Sequence, residues 1–171
     1  MRIAITTDTY LPAVNGVVTS IESFRTELER QGHEVFILGP AYPKHTNDPP
    51  NVYRFASVRY PFALMREQRI IFPSVRFLRL LAKLKVDVVH SQVPAFTGAY
   101  TLLASRLYQI PHVHTFHTNF LEYMHYAPFP RSFSRWAIGW IARHYCGRCQ
   151  RVISPSDGMR SILLDIGVDA P

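Results

Sequence analysis

Three histidines, His112, His114 and His117, stand close together in the sequence and are the first candidates for chemistry. If residues 111–116 form a strand, His112 and His114 share one face of it, and His117 follows its end. This is not an established zinc spacing, and no cysteine or carboxylate stands between the three. We therefore predict no metal site, interpret His112 as a hydrogen-bonded core residue, and take His117 as the functional candidate.

A second polar group follows the first apolar run of the chain, which predicts a strand buried on both faces. Asp8 and Tyr10 come directly after this run, at the edge where open α/β sheets bind ligands. Asp8 can accept hydrogen bonds from ligand hydroxyl groups, and the Tyr10 ring can stack on a ligand or close over it. The alternative for Asp8, a carboxylate that caps its own loop, stays open.

Asn15 and Gly16 begin a predicted helix whose apolar residues recur at helical spacing. The N–H groups at a helix start attract anions, and a glycine there lets a diphosphate approach the backbone. A glycine needed only for the turn is the alternative. The loop lacks G-x-G-x-x-G, and Gly39-Pro40 stand where a nicotinamide-binding domain needs an acidic residue, so that class is excluded.

The chain as a whole alternates strands with helices. Apolar runs predict strands at 2–7, 34–38, 51–55, 86–90, 111–116 and 151–154, and helical spacing predicts helices at 16–31, 74–84, 95–109, 131–148 and 157–166. Strands separated by segments of helix length imply crossover connections. We therefore predict one α/β domain over residues 1–171, with a Rossmann-like, doubly wound and mostly parallel sheet.

The formal net charge of +7 is concentrated in two segments. Residues 59–85 hold seven basic residues against the single acid Glu67, and residues 131–151 hold five arginines and no acid. Residues 1–58, by contrast, are almost neutral, and two basic segments on such a scaffold suggest an anionic surface or ligand. No nucleic-acid-binding motif accompanies them, so nucleic acid is not the expected partner.

The predicted helix 74–84 carries a basic stripe, Arg76, Arg79 and Lys83, opposite an apolar face. A basic amphipathic helix can lie on anionic lipid, where each basic residue contributes roughly 1 kcal/mol. We predict that these three residues and Arg69 bind an anionic membrane surface. The alternative is a helix that covers the sheet and leaves an ordinary solvated outer face.

Composition indicates a reduced cytoplasmic chain. No apolar run approaches the roughly 18 residues of a membrane-spanning helix, and the N-terminus enters a strand without a secretory signal. The pair Cys146-x-x-Cys149 ends a predicted helix, whereas a thioredoxin-type motif begins one, so we predict two buried structural cysteines.

Residues 120–130 are rich in aromatic rings. Tyr123 and Tyr126 in this segment can contact a ligand, or the segment can form a small core of its own.

Three blocks of the sequence together resemble one family. The first block consists of Thr7-Asp8-Thr9-Tyr10, Pro12, Asn15-Gly16-Val17 and Gly32-His33-Glu34-Val35. The second is HVHTFHTNFLEYMHY at 112–126, and the third is RVISPSDGMRSIL at 151–163. The chain is similar to the N-terminal domain of the GT-B glycosyltransferases of family four (group 1). The last two blocks look most like the branch that glycosylates lipids, such as the diacylglycerol glucosyltransferases.

The resemblance implies a retaining enzyme that transfers a sugar from a nucleotide-sugar donor to an acceptor hydroxyl, such as that of diacylglycerol. It implies a front-face displacement without a cofactor or a strictly required metal. His117 then lies beside the donor sugar and Gly16, with Asn15, against the donor diphosphate. Asp8, Tyr10, Tyr123 and Tyr126 become candidates for binding the acceptor.

The resemblance also implies that residues 1–171 are the acceptor-side half of a larger enzyme that works peripherally on the inner face of the membrane. The donor-binding C-terminal domain is absent from the chain, so the chain alone is expected to be inactive. The alternative function is a non-catalytic module that binds anionic membranes or nucleic acid on the same scaffold.

Overall fold

The computed structural model describes residues 1–60, 68–72, 74–117 and 131–168, without the side chains of residues 131, 134 and 135. In order, these residues form β1 (Arg2–Thr6), α1 (Gly16–Arg30), β2 (Glu34–Pro40), β3 (Val52–Phe55), β4 (Ser57–Arg59), β5 (Arg69–Ile71), α2 (Val75–Leu84), β6 (Val88–Ser91), α3 (Phe96–Tyr108), β7 (His112–Thr115), α4 (Arg131–Cys146), β8 (Arg151–Ile153) and α5 (Asp157–Asp165). Every predicted helix and strand is confirmed, with ends that shift by at most two residues.

The main sheet is parallel, with strand order β3-β2-β1-β6-β7-β8. The order proceeds outward from β1 on one side and then outward from β6 on the other, as in Rossmann-type sheets. The predicted doubly wound fold is therefore confirmed. Between the carboxyl ends of β1 and β6 the connections leave in opposite directions, and open α/β sheets bind ligands in the crevice above such a point.

Helices cover both faces of this sheet because neighbouring residues of a strand point to opposite sides. Ala4 of β1 packs into a core cluster that includes residues of α2 and α3, whereas Ile5 packs into a second cluster with α1. A third cluster joins Phe116 to α4 and α5. Cys146 and Cys149 lie in this third cluster as free thiols, which confirms the prediction that both are buried.

Burial raises the pKa of both cysteine thiols to about 12. A thiol with such a pKa stays protonated at neutral pH and is a poor nucleophile or metal ligand. Cys149 instead donates its S–H to the carbonyl of Tyr145, 3.5 Å away, near the end of α4.

A short antiparallel hairpin of β4 and β5 is an addition that the sequence pattern does not predict. Strands of three residues are too short to display alternation. Arg69 of this hairpin is only 6% exposed. Its guanidinium donates to Ser57 Oγ at 2.7 Å and to the Ser57 carbonyl at 2.9 Å, and it lies over the Tyr42 ring. The assignment of Arg69 to a membrane-binding surface is therefore wrong.

Asp8 links β1 to the start of α3. The residue before this helix, Ala95, has no side chain that can cap it, and the Thr97 N–H donates instead to Asp8 Oδ1 at 3.2 Å. Asp8 is fully buried, and burial raises its pKa to about 6 against the opposing effect of contacts with Thr97 and the Phe96 backbone. The Asp8 carboxylate thus acts as a cap, as in the alternative interpretation. It caps the start of α3, which is distant in the sequence, and not its own loop.

The buried carboxyl group of Asp8 predicts a distinctive pH dependence of stability. Its folded pKa of about 6 lies above the unfolded value of 3.8, so the stability contributed by the protonated form is complete below about pH 4 and is lost as the pH rises through about 6. The Asp8→Asn variant keeps an acceptor for Thr97 but cannot ionise. As the pH rises from about 4 to about 6, the parent therefore loses stability that the variant keeps. We expect the free energy of unfolding of the variant, minus that of the parent, to increase by up to about 3 kcal/mol over this range.

Urea denaturation of both proteins at a series of pH values measures this difference. All buried histidines are common to the two proteins, so their titration cancels in the comparison. A difference in unfolding free energy that stays constant from acid to neutral pH would show that Asp8 ionises as an ordinary exposed carboxylate does.

Candidate functional site

Three polar side chains follow the carboxyl ends of three adjacent strands. Asp8 lies just past β1, Gln92 directly after β6, and His117 just past β7. Because parallel strands end at the same edge, the topology brings these side chains to one side of the sheet. Asp8 and Gln92 flank the crevice between β1 and β6, and the Gln92 N–H donates to the Thr6 carbonyl at 3.0 Å across it.

His117 and Gln92 are joined by a hydrogen bond of 2.6 Å between Nε2 and Oε1. The amide carbonyl can only accept, so the imidazole carries its proton on Nε2 and presents a lone pair on Nδ1. Burial lowers the pKa of His117 to about 4, so the ring is neutral at neutral pH. Gln92 therefore fixes both the tautomer and the orientation of a histidine at the mouth of the crevice.

Several buried polar atoms at this edge have no hydrogen-bond partner among the described residues. They include Asp8 Oδ2, Gln92 Nε2, Thr97 Oγ1 and His114 Nε2. Buried polar groups in folded proteins are nearly always partnered, because an unmade hydrogen bond costs about 1–3 kcal/mol. Their concentration at this edge indicates a place where ordered water completes the bonding.

A polar network centred on Ser91 lies beneath the site. Its Oγ atom is 2.8 Å from His112 Nε2, 2.9 Å from His114 Nδ1, and receives the hydroxyl hydrogen of Tyr145 at 2.8 Å. A neutral arrangement satisfies these contacts: Ser91 donates to His112, and His114 Nδ1–H donates to the Ser91 carbonyl at 3.0 Å. The prediction that His112 and His114 share one face, with His112 in the core, is confirmed.

Burial keeps these histidines uncharged. It lowers the pKa of His112 to about 4 and that of His114 well below its usual value, and it raises the pKa of Tyr145 well above its usual value. The three histidines do not converge on one point, since His117 binds Gln92 while the other two bind Ser91. Across the described ranges, no group of three potential metal-binding side chains is arranged to hold an ion.

The start of α1 opens onto the same edge. Asn15 caps the helix, because its Oδ1 accepts from the Val18 N–H at 3.0 Å while its Nδ2 donates to Thr9 Oγ1 at 3.0 Å. Gly16 is exposed, and a Cβ placed on it would meet no atom within 4 Å. Asn15 thus orients the helix start, and Gly16 leaves its backbone accessible to an anion.

The positions of the tyrosines require a correction. Tyr10 is fully buried in the core under α1, where its hydroxyl donates to Glu22 Oε1 at 2.5 Å and the Arg54 guanidinium covers its ring. An enclosed ring cannot stack on an acceptor molecule, so the structure does not support that prediction. Tyr123 and Tyr126 lie outside the described residues.

Sequence reasoning missed Gln92 and Thr97, which complete the edge. Gln92 directly follows a predicted strand, so the rule that parallel strands bind ligands at their carboxyl ends could have identified it. Thr97 offered no such indication, because its contact with Asp8 joins residues from distant parts of the sequence.

Solved structures with the same fold include nucleotide-sugar epimerases. The UDP-GlcNAc 2-epimerase of Methanocaldococcus jannaschii matches 99% of this chain and 43% of its own, with a TM-score of 0.58 and 13% identity. A structure entitled "S. aureus MnaA-UDP co-structure" matches with a TM-score of 0.55 and 14% identity, over 99% of this chain and 42% of its own. At such identities the likeness establishes the fold alone.

Curated relatives are more similar in sequence. Alpha-monoglucosyldiacylglycerol synthases of Streptococcus pneumoniae and Acholeplasma laidlawii are each 33% identical, over 98% and 91% of this chain. A GDP-mannose-dependent alpha-mannosyltransferase of Mycolicibacterium smegmatis is 32% identical over 91%. The chain spans only 38%, 41% and 42% of these three proteins, respectively. The model of Glycosyltransferase Family 4 matches residues 14–171, and the chain therefore belongs to this family, as its N-terminal domain.

Proposed function

We propose that this domain is the acceptor-side half of a retaining glycosyltransferase that moves a sugar from a nucleotide-sugar donor to a lipid hydroxyl. Family membership supports a transferase, and two relatives carry names that specify a glucosylated diacylglycerol. The observation that carries the proposal is the meeting of an oriented, neutral His117 with Asp8 and the open helix start at Gly16 on one edge of the sheet.

The proposed reaction is a front-face displacement. The acceptor oxygen bonds to the anomeric carbon, the bond from that carbon to the diphosphate breaks, and the acceptor proton passes to a donor phosphate oxygen. Negative charge then grows on the leaving diphosphate, which the N-terminal end of α1 beside Gly16 would stabilise through its N–H groups and dipole. No general base is needed, which is consistent with a neutral His117 that hydrogen-bonds the sugar.

The donor's nucleotide would bind chiefly to a second domain, as the resemblance implies. Transfer depends on holding donor and acceptor in a precise relative geometry, and half of a cleft cannot supply it. We therefore propose that residues 1–171 bind the acceptor and the diphosphate side of the donor, and that they do not transfer sugar on their own.

Anionic lipid is the proposed partner of α2. Phe77, Leu81 and Leu84 bury the apolar side of this helix in the core, so Arg76 and Lys83 are left exposed on its outer side. Arg79 lies on that side too, and three such residues would contribute about 3 kcal/mol of attraction to an anionic surface. The cytoplasmic leaflet is anionic, which supports peripheral binding at the inner face.

Residues 133–141 of α4 add an apolar surface. Phe133, Trp136, Trp140 and Ile141 are each about half exposed, and the rings of Phe133 and Trp136 lie 5.9 Å apart. Aromatic rings of this kind favour the interface between lipid headgroups and acyl chains. Within the described ranges no helix has the length and apolarity to cross a bilayer.

The first functional prediction separates His117 from His112 in the full-length protein. The His117→Ala variant should lower kcat about a hundredfold with an unchanged melting temperature, because it removes a contact made at the reacting sugar. The matched His112→Ala variant should keep most of its kcat but lose about 2 kcal/mol of stability, because it breaks the Ser91 network. Transfer assays and thermal melts measure both; parental turnover in folded His117→Ala protein would remove this residue from the site.

The second prediction concerns the basic side of α2. Changing Arg76, Arg79 and Lys83 to Glu should abolish cosedimentation with vesicles that contain phosphatidylglycerol, and rising salt should weaken binding of the parent. A control triple variant changes exposed Lys44, Arg106 and Arg160 to Glu and alters net charge equally. If both variants lose binding to the same extent, net charge rather than α2 attracts the membrane.

A further inference from the structure

An apolar pocket of about 420 Å³ lies between the start of α3 and the middle of α4. Its volume falls within the range of about 300–1,000 Å³ that small-molecule sites occupy. Aromatic and aliphatic side chains line it, and the Tyr60 phenol is the only polar side-chain group among these residues: Tyr60, Pro94, Ala95, Phe96, Ala99, Phe116, Ile138, Ile141 and Ala142. A sugar or a nucleotide placed there would lose its hydrogen bonds to water without replacement.

The inner end of this pocket adjoins the candidate site. Phe116 immediately precedes His117, and Phe96 immediately precedes Thr97, which is bonded to Asp8. The Tyr60 and Phe96 rings are 6.2 Å apart, and the Asp8 charge adds to burial in raising the pKa of Tyr60. The pocket therefore adjoins residues that neighbour the polar edge.

The outer end of the pocket reaches the apolar surface of α4. Ile141 lines the pocket and is also 49% exposed, and it stands next to Trp140 on the same helix. The lining residues thus place the pocket between the exposed side chains of α4 and the residues that precede His117 and Thr97.

We propose that this pocket holds one acyl chain of the lipid acceptor, so that the acceptor hydroxyl is presented to His117 at the polar edge. The inference rests on the proposed function and adds to it a binding site and its ligand chemistry. The apolar lining, the size, and the position between an interfacial surface and the polar edge all fit an amphiphile with one chain inserted. The pocket would select acceptors by the length of that chain.

A displacement experiment on the full-length protein tests this site. The methyl ester of cis-parinaric acid, which fluoresces when bound, is displaced with monoacylglycerols from octanoyl to palmitoyl. The affinity of the parent should rise with chain length, by up to about fourfold per methylene until the pocket is full, the factor for burying one such group. Ala99→Trp, which fills the pocket from α3, should remove this dependence on chain length and weaken probe binding at least tenfold.

Two further variants make the result specific. Leu107→Trp adds the same ring to the same helix at an exposed position outside the pocket, and it should bind the probe as the parent does. Ile141→Glu places a charge at the exposed rim, where the fold tolerates it, and should also weaken binding. If Ala99→Trp and Ile141→Glu fold and bind as the parent does, or if the parent does not bind the probe because another part of the protein fills the pocket, the proposal is overturned.

The same proteins separate this inference from the proposed function. Binding needs no donor, so a pocket that binds chains in a protein without transferase activity would refute only the proposed function. Transfer to lipid that is indifferent to chain length and to Ala99→Trp would refute only the pocket.

Discussion

The reversal of strand order between β1 and β6 is the constraint on which the rest of the structure depends. Because the connections after these two strands leave toward opposite faces, α1 and α3 cover different sides while both begin above the same edge. The two helix starts flank one crevice, and each needs groups to satisfy its first N–H donors. Asn15 does this for α1, and Asp8 reaches across from β1 to do it for α3.

Burial controls the charge state of this crevice. His90, His112, His114 and His117 all have lowered pKa values because desolvation disfavours their charged forms, and Asp8 has a raised one for the same reason. The floor of the site is therefore weakly charged, although it is rich in polar groups. Electrostatic stabilisation of an incoming diphosphate would then fall mainly to the helix start at Gly16.

The sequence predicted most of the fold because its elements are local patterns. The alternation of apolar runs and helical spacing located each main strand and helix, and strand geometry alone placed His112 and His114 on one face. The same pattern identified Arg76, Arg79 and Lys83 as an exposed stripe.

The errors arose where tertiary contacts decide the position of a side chain. Arg69 belongs to a basic segment by sequence, but pairing of β4 with β5 encloses its guanidinium. Tyr10 follows β1 into a loop, yet Glu22 and Arg25 from α1 bind its hydroxyl and hold the ring in the core. The role of Gln92 as the partner that orients His117 became evident only when β6 and β7 were placed side by side.

The central claim is that the donor diphosphate meets the protein at the start of α1, and donor affinity tests it most directly. Calorimetric titration of the full-length protein with UDP-glucose and GDP-mannose would compare Gly16→Val with Gly158→Val. Both glycines lie in the first turn of a helix with room for a side chain, since the nearest atom to a Cβ at Gly158 is 3.9 Å away. We predict that Gly16→Val weakens binding of the preferred donor at least about tenfold, or roughly 1.4 kcal/mol, while Gly158→Val binds it as the parent does. Parental affinity in a folded Gly16→Val protein would contradict the account.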